Sequence, residues 1–303
     1  MPHFEMPARA RVAHLARFKT ANKFQWIVIW CVLTALFAIV ATIIPASGVL
    51  AFDWIAFFDQ GWNVPAFYPP WTRLIVLPLS WPLLTGLTLS TFSVAVLQRA
   101  SSLPSTVAAF LNLPLFWTIF LGQLDGLALL GVIGLPWLAP LALTKPQVAS
   151  FAIASQRTAI ILTAIFLVIS FLLWGFWPAD MLTYHSNREE WPQDIALGWL
   201  IGIPLFALLV WKMPKKDADW WMLAGTTLTP FLIPYNLLPL MPAIARLPRG
   251  WAIAAAIASW LPLSANWIGP FGWRLGWLSI AIIGIGLVVS RRDVLLGQQP
   301  VTA

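Results

Sequence analysis

Two aspartates set among aromatic residues are the first candidates for chemistry in this sequence. Asp53 stands between Phe52 and Trp54, and Asp59 follows in the same loop. A carboxylate held beside apolar rings is suited to act as a general base, because its removal from water favours proton uptake. The alternative is that both carboxylates cap their loop and face water.

A second polar group interrupts an apolar stretch. Gln123 and Asp125 follow Gly122, and further along the chain the sequence reads Lys145-Pro146-Gln147. A lysine at such a helix break can bind a phosphate as a point charge. It can equally be a lysine whose stem stays in the apolar layer while its ammonium reaches the membrane surface.

A third group of hydroxyl and amide side chains lies close to Pro230 and Pro234. It consists of Thr227, Thr229 and the pair Tyr235-Asn236. Polar groups at a broken membrane helix are typical of binding sites. They also serve only to satisfy backbone groups that a proline has freed, so this pattern alone does not indicate a site.

The other reactive residue types show no catalytic spacing. His185 is followed by Glu189 and Glu190, which is not the spacing of metal ligands, and Cys31 stands alone in an apolar run. The sequence contains no glycine-rich phosphate loop and no nucleophile elbow. We therefore predict no metal and no cofactor.

The composition requires that these residues be held in a membrane. Of the 303 residues, 60% are hydrophobic and 10% are charged, whereas soluble domains carry roughly 25% charged residues. The chain also has 20 Trp and 25 Pro, which favours interfacial anchors and broken helices. The net charge of +7 is scattered between apolar runs, so we expect no nucleic-acid partner and expect membrane lipids instead.

Apolar runs long enough to cross a membrane predict an all-α, polytopic helix bundle. The seven clear runs are 24–46, 72–97, 104–121, 158–178, 195–211, 251–268 and 275–290. Two further stretches, 124–155 and 220–245, are interrupted by prolines and predict broken or re-entrant helices, for a total of about 8–11 spans. The expected domains are a basic cytoplasmic segment at 1–23, one transmembrane domain at 24–290 and a cytoplasmic tail at 291–303.

The distribution of basic residues predicts the orientation. The N-terminus is placed inside, 220–245 leaves and returns as a hairpin, and 124–155 crosses an odd number of times. All but four of the 18 Lys and Arg then lie on one side, which the positive-inside rule makes cytoplasmic. The four on the outer side are Arg73, Lys145, Arg188 and Arg274. Both termini are then cytoplasmic, and the three polar groups face the outer side of the cell membrane.

The order of these motifs resembles the membrane-embedded GT-C glycosyltransferases, and most of all glycosyltransferase family 87, the polyprenyl-phosphate-mannose-dependent α-mannosyltransferases. The resemblance covers roughly residues 45 to 240. It rests on short motifs in a fixed order: Asp53-Trp54, Tyr68-Pro69-Pro70, Leu77-Pro78-Leu79, Gly122-Gln123 and Lys145-Pro146-Gln147.

The resemblance implies a transferase that moves a sugar, mannose-like, from a polyprenyl-phosphate donor to an acceptor hydroxyl with inversion and without a metal. Asp53 would be the general base, with Asp59 in reserve, and Lys145 would lie near the donor phosphate. The remaining implied site residues line the donor and acceptor cleft or position the loop: Gln123, Asp125, Gln147, Tyr235, Asn236, Tyr68 and Arg73.

Two non-enzymatic interpretations stay open. Broken helices with polar residues also suit a transporter for lipids or small solutes, and the tryptophan content suits a structural subunit of a larger membrane assembly. The interpretations differ in geometry, because only the transferase requires Asp53, Lys145 and Tyr235 to line one cavity.

Overall fold

The fold of the chain is all-helical, with no β-strand among residues 22–44, 47, 49–59, 68–186 and 191–295, which the computed structural model describes. Within these ranges six helical segments are long and apolar enough to cross a membrane: Lys23–Thr42, Trp81–Arg99, Leu103–Leu121, Arg157–Trp174, Arg249–Ile268 and Phe271–Arg291. The predicted all-α, multi-pass membrane architecture is confirmed at this level.

The α-helices are numbered in chain order. They are α1 Lys23–Thr42, α2 Thr72–Val76, α3 Trp81–Arg99, α4 Leu103–Phe110, α5 Leu113–Leu121, α6 Asp125–Ile133, α7 Pro146–Ala149, α8 Arg157–Trp174, α9 Trp177–Ser186, α10 Trp199–Lys212, α11 Ala218–Leu228, α12 Arg249–Ala258, α13 Ala265–Ile268, α14 Phe271–Arg274 and α15 Gly276–Leu295. Shorter helical pieces are a π-helix at Trp54–Asp59 and 3₁₀ turns at Ala139–Leu143, Ser150–Ser155, Pro234–Leu237, Met241–Arg246 and Leu261–Ser264.

Helices α1 and α3 form a close antiparallel pair. The Thr34 and Ser90 hydroxyl oxygens lie 2.6 Å apart, and the Trp30 indole N–H donates to Thr91 Oγ1 at 2.9 Å. A Cβ on Gly86 would lie 2.6 Å from the Thr34 carbonyl oxygen, so glycine permits this approach. Small residues and interhelical hydrogen bonds are the usual means of helix association in lipid.

Prolines and caps divide two of the predicted continuous spans. The run 72–97 is split into α2 and α3, where Ser80 caps α3 through the Leu83 N–H and Pro82 follows. The run 104–121 is split into α4 and α5, because the Asn112 side chain accepts from the Leu115 N–H and begins a new helix. The predicted span 195–211 is shorter than expected: α10 has 14 residues, fewer than the roughly 20 that cross a bilayer.

The first interrupted stretch turns back on itself. Helix α6 packs against the 3₁₀ turn Ala139–Leu143, and a Cβ on Gly131 would lie 2.3 Å from the Ala142 nitrogen. The two ends of this hairpin meet, since Lys145 Nζ lies 3.3 Å from Asp125 Oδ2. The broken helices predicted for 124–155 are present as short helical pieces.

The second interrupted stretch also closes on itself, at the opposite end of the bundle. Arg246 Nη1 lies 2.9 Å from Asp217 Oδ2 and 2.9 Å from Asp219 Oδ2, so the segment 217–246 returns to its starting point. Arg99 joins them, donating from Nε and Nη2 to the Asp219 carboxylate at 2.9 to 3.1 Å. We call Arg99, Asp217, Asp219 and Arg246 the basic-end network.

Helix α3 connects the two polar ends of the molecule. Its 19 residues make it about 28 Å long, which is close to the thickness of a hydrocarbon layer. Trp81, at the start of α3, lies next to Gly122. Arg99, at the end of α3, belongs to the basic-end network. Because α1 runs antiparallel to α3, Lys23 lies at the same end as Arg99.

Candidate active site

A cavity of about 280 Å³ lies at the end of the bundle where α3 begins. Seven of the ten predicted site residues line it, although they come from separate parts of the chain. They are Asp53, Tyr68, Gln123, Lys145, Gln147, Tyr235 and Asn236. The structure therefore brings Asp53, Lys145 and Tyr235 to one cavity.

Two unusual backbone positions bring Asp53 to the cavity. Ala51 has a φ of 60°, a left-handed conformation that is uncommon for a residue with a side chain, and its N–H donates to the Phe120 carbonyl at 2.6 Å. Gly122 has a φ of 74°, and a Cβ there would lie 2.7 Å from Trp54 Cβ. The loop that carries Asp53 is thus pressed against the end of α5, next to Gln123.

Gln123 is the centre of the polar contacts at the cavity wall. Its Nε2 donates to Asp53 Oδ2. Its Oε1 accepts from the Lys145 ammonium at 2.5 Å and from the Tyr68 hydroxyl at 3.1 Å. The amide of one buried residue therefore links the candidate base to the candidate phosphate-binding cation.

Asp125 lies behind Lys145 and balances its charge. The Asp125 side chain is 1% exposed and the Lys145 side chain is 6% exposed, and their charged atoms are 3.3 Å apart. Asn236 Nδ2 donates to Asp125 Oδ1 at 3.2 Å, while Asn236 Oδ1 accepts from the Ile233 N–H at 3.0 Å. A buried charge needs an ion-pair or hydrogen-bond partner, and Asp125 has Lys145 at Oδ2 and Asn236 at Oδ1. We call Asp53, Gln123, Asp125 and Lys145 the cavity cluster.

Aromatic rings fix the direction of the ammonium. Lys145 Nζ lies 4.6 Å from the centre of the Tyr235 ring and 5.4 Å from that of the Tyr68 ring. Both distances are within the range of cation–π attraction. Tyr235 is held in turn by Trp117, whose ring centre is 5.9 Å away in an edge-on arrangement.

Gln147 contributes to the same wall in two ways. Its backbone carbonyl accepts from the Thr229 hydroxyl, which joins α7 to the end of α11. Its side-chain Oε1 is buried and has no hydrogen-bond partner among the described residues. A ligand with a hydroxyl group would satisfy this acceptor, because a buried polar atom without a partner costs free energy.

Two predicted site residues lie elsewhere. Asp59, at the end of the π-helix, and Arg73, in α2, are both exposed, and neither lines the cavity. Thr227 also has a local role, because its hydroxyl donates to the Ala224 carbonyl at 2.8 Å. The side chain of His185 and residues Glu189 and Glu190 lie outside the described part of the chain.

Sequence reasoning missed most of the apolar wall. Besides Phe52, four aromatic residues that no motif indicates line the cavity: Phe57, Trp117, Trp191 and Phe231. The high tryptophan content signals aromatic surfaces, but composition alone does not separate a cavity wall from interfacial anchors. Among the described residues, no group of three or more His, Cys, Asp and Glu is arranged to hold a metal ion.

Comparison with known proteins identifies no relative: no protein family, no curated protein and no solved structure matches the chain. The class of protein is therefore defined by its own fold and site. It is a multi-pass helical membrane protein with a polar, aromatic-lined cavity at one end of its bundle.

Proposed function

We propose that this protein is a membrane glycosyltransferase of the GT-C type that transfers a mannose-like sugar from a polyprenyl phosphate to an acceptor hydroxyl. The observation that carries the proposal is that Asp53 and Lys145, distant in sequence, line the same cavity and are joined through Gln123. A base beside a cation is what transfer from a phosphate leaving group requires.

In the proposed reaction Asp53 takes the proton of the acceptor hydroxyl as the hydroxyl oxygen bonds to the anomeric carbon. The bond from that carbon to the phosphate oxygen breaks, and its electron pair stays on the lipid phosphate. Attack from the opposite face inverts the anomeric centre. The Lys145 ammonium stabilises the charge that develops on the phosphate, so one base and one cation suffice.

The wall of the cavity suits a sugar. Its volume of about 280 Å³ is just below the range of small-molecule sites, roughly 300 to 1,000 Å³, so it fits a small ligand group. The aromatic rings provide flat apolar faces, while the unpartnered Gln147 Oε1 accepts from a hydroxyl. A single sugar ring with several hydroxyl groups matches this combination of surfaces.

The proposed orientation follows from the two ends of α3. Basic residues gather at the end away from the cavity: Lys23, Arg99, Lys215, Lys216, Arg246 and Arg249. By the positive-inside rule that end is cytoplasmic, so the cavity opens to the outer side of the cell membrane. With the two closed hairpins counted as re-entrant elements, we retain about 8–11 membrane segments, with both termini cytoplasmic.

The proposal is tested with the full-length chain in lipid nanodiscs. Synthetic polyprenyl phosphates carrying labelled mannose, glucose or arabinose are supplied, and release of the sugar to water or to added oligosaccharides is measured. We expect release from one of these donors, and its loss in Asp53→Asn. If the protein releases sugar from none of them, the transferase proposal fails in favour of a transport or structural role.

A further inference from the structure

The hydrogen bonds of Gln123 permit only one orientation of its side-chain amide. Two donors, the Lys145 ammonium and the Tyr68 hydroxyl, both approach Oε1. A rotated amide would turn its N–H₂ group toward the Lys145 ammonium, so that two donors would face each other. The N–H₂ group must therefore face Asp53, and the Asp53 oxygen that it meets must accept.

The backbone around Gln123 supports the same orientation. Gln123 is only 4% exposed, and its N–H donates to the Thr118 carbonyl at 2.9 Å. The preceding Gly122 has the left-handed conformation that a helix C-terminus requires, and Trp54 occupies the space of a Cβ. Gln123 is thus a rigid part of the wall rather than a mobile side chain at its rim.

We infer that Gln123 is a positioning residue, whose amide holds the Asp53 carboxylate at the cavity wall in the accepting state and keeps Lys145 from pairing with it directly. The inference rests on the proposed function, because it concerns the base of that reaction. Both side chains contact the same amide, so without it the Lys145 ammonium and the Asp53 carboxylate would attract each other, and a base paired with an ammonium is a weaker base.

Other titratable groups near the amide are few. Among the described residues that line the cavity they are Asp53, Tyr68, Lys145 and Tyr235, and Asp125 lies behind Lys145. Lys145 is already balanced by Asp125. A new carboxylate at position 123 would therefore meet Asp53 as its nearest like charge.

The substitution Gln123→Glu uses this arrangement as a test. Glutamate keeps the size of glutamine and can still accept from Lys145 and Tyr68, but its second oxygen has no proton with which to bond Asp53 at neutral pH. Two adjacent carboxylates share one proton as the pH falls. The shared proton then restores the hydrogen bond that the amide normally makes.

The expected result is a deficit that depends on pH. Sugar release from polyprenyl-phosphate mannose, or from whichever test donor the wild type uses, is measured for both proteins at each pH. In Gln123→Glu the rate should be at least about tenfold below wild type at pH 7.5, within the range that a positioned base contributes, and the ratio of the two rates should approach one toward pH 5.

Two matched controls separate positioning from general effects of charge. Gln193→Glu adds a carboxylate to the same cavity and should keep the wild-type direction of the pH dependence. Gln98→Glu adds one on an exposed position of α3, far from the cavity, and should leave the rate unchanged.

A second variant tests the inference without added charge. Gln123→Asn withdraws the amide by one methylene group, so kcat should fall while KM for the donor stays within about twofold. If Gln123→Glu follows the wild-type pH profile, or if Gln123→Asn keeps the wild-type kcat, the inference is overturned while the proposed function stands. If the wild type releases no sugar, the proposed function fails and the inference fails with it.

Discussion

The two clusters of charged residues, one at each end of α3, differ in how their members are linked and in their surroundings. The basic-end network pairs two guanidiniums with two carboxylates, and its hydrogen bonds run from charge to charge. The cavity cluster has two carboxylates and one ammonium, with a neutral amide between them. It also borders a cavity, whereas the basic-end network joins helix ends to each other.

This difference indicates how each cluster contributes. A set of charges that join one another directly fixes the positions of the elements that carry it, and removing one partner weakens that link. A set that includes carboxylates, an ammonium and a neutral amide beside an open space is suited to exchange a proton or bind a ligand. The comparison predicts that the basic-end network governs stability and that the cavity cluster governs activity.

The largest expected effect is on activity, from Asp53→Asn. Loss of the base should lower sugar release by about 10² to 10⁴-fold, with little change in melting temperature. The matched control is Asp59→Asn, since Asp59 is an exposed carboxylate close in sequence that does not line the cavity. Equal losses in the two variants would remove the distinction between them.

The largest expected effect on stability comes from Asp219→Asn. It leaves Arg99 and Arg246 with a weaker partner, but both guanidiniums are partly exposed and Arg246 keeps Asp217, so the expected cost is about 1 to 3 kcal/mol. Thermal unfolding in detergent should show a lower melting temperature, while sugar release per folded protein stays near wild type. Asp180→Asn, at an exposed position in α9, should change neither quantity. Wild-type stability in Asp219→Asn would contradict a structural role for the basic-end network.

A smaller effect, on both donor affinity and stability, is expected from substitution of Lys145. Lys145→Met removes the cation and leaves Asp125 unpaired, so both donor affinity and stability should fall. The double variant Lys145→Met with Asp125→Leu removes both charges, and it should recover stability without recovering affinity. Affinity is measured by the donor-induced shift in melting temperature. Recovery of that shift in the double variant would show that Lys145 does not bind the phosphate.

The smallest effect is a dependence of stability on acid. Burial raises the pKa of Asp219, but the Arg99 and Arg246 guanidiniums outweigh it and hold that pKa below its ordinary value of 3.8. Asp219 ionisation therefore stabilises the fold at neutral pH, and this contribution is lost as the pH falls below about 4. Melting temperature measured from pH 6 to pH 3 should fall less steeply in Asp219→Asn than in wild type. Parallel curves would contradict this origin of the acid sensitivity.

The sequence allowed the fold class to be predicted, but not which side of a short helix faces the cavity. Long apolar runs and paired prolines indicated α1, α8 and the two hairpins, because each has a one-dimensional signature. Asp53, Lys145 and Tyr235 were grouped by chemistry and motif order. Their convergence is a tertiary property that the structure supplies.

The residues away from the cavity show why the rest could not be predicted. Arg73 lies in a five-residue helix and Asp59 ends a six-residue one, and both stretches are apolar on nearly all sides. Because these short helices have no amphipathic pattern, their sequence does not indicate which side chains face the cavity. The positive φ of Ala51, which sets the direction of Asp53, has no signature in residue type either.

The meeting of the two hairpins has a consequence for how the protein is made. Asn236, near the tip of the second hairpin, bonds Asp125 at the base of the first. A ribosome adding about 5 to 20 residues per second needs roughly 5 to 20 seconds to go from Lys145 to Asn236. During that interval the first hairpin resides in the translocon or in lipid with only Lys145 to neutralise Asp125. The ion pair thus neutralises the Asp125 carboxylate until Asn236 has been synthesised and can donate its hydrogen bond.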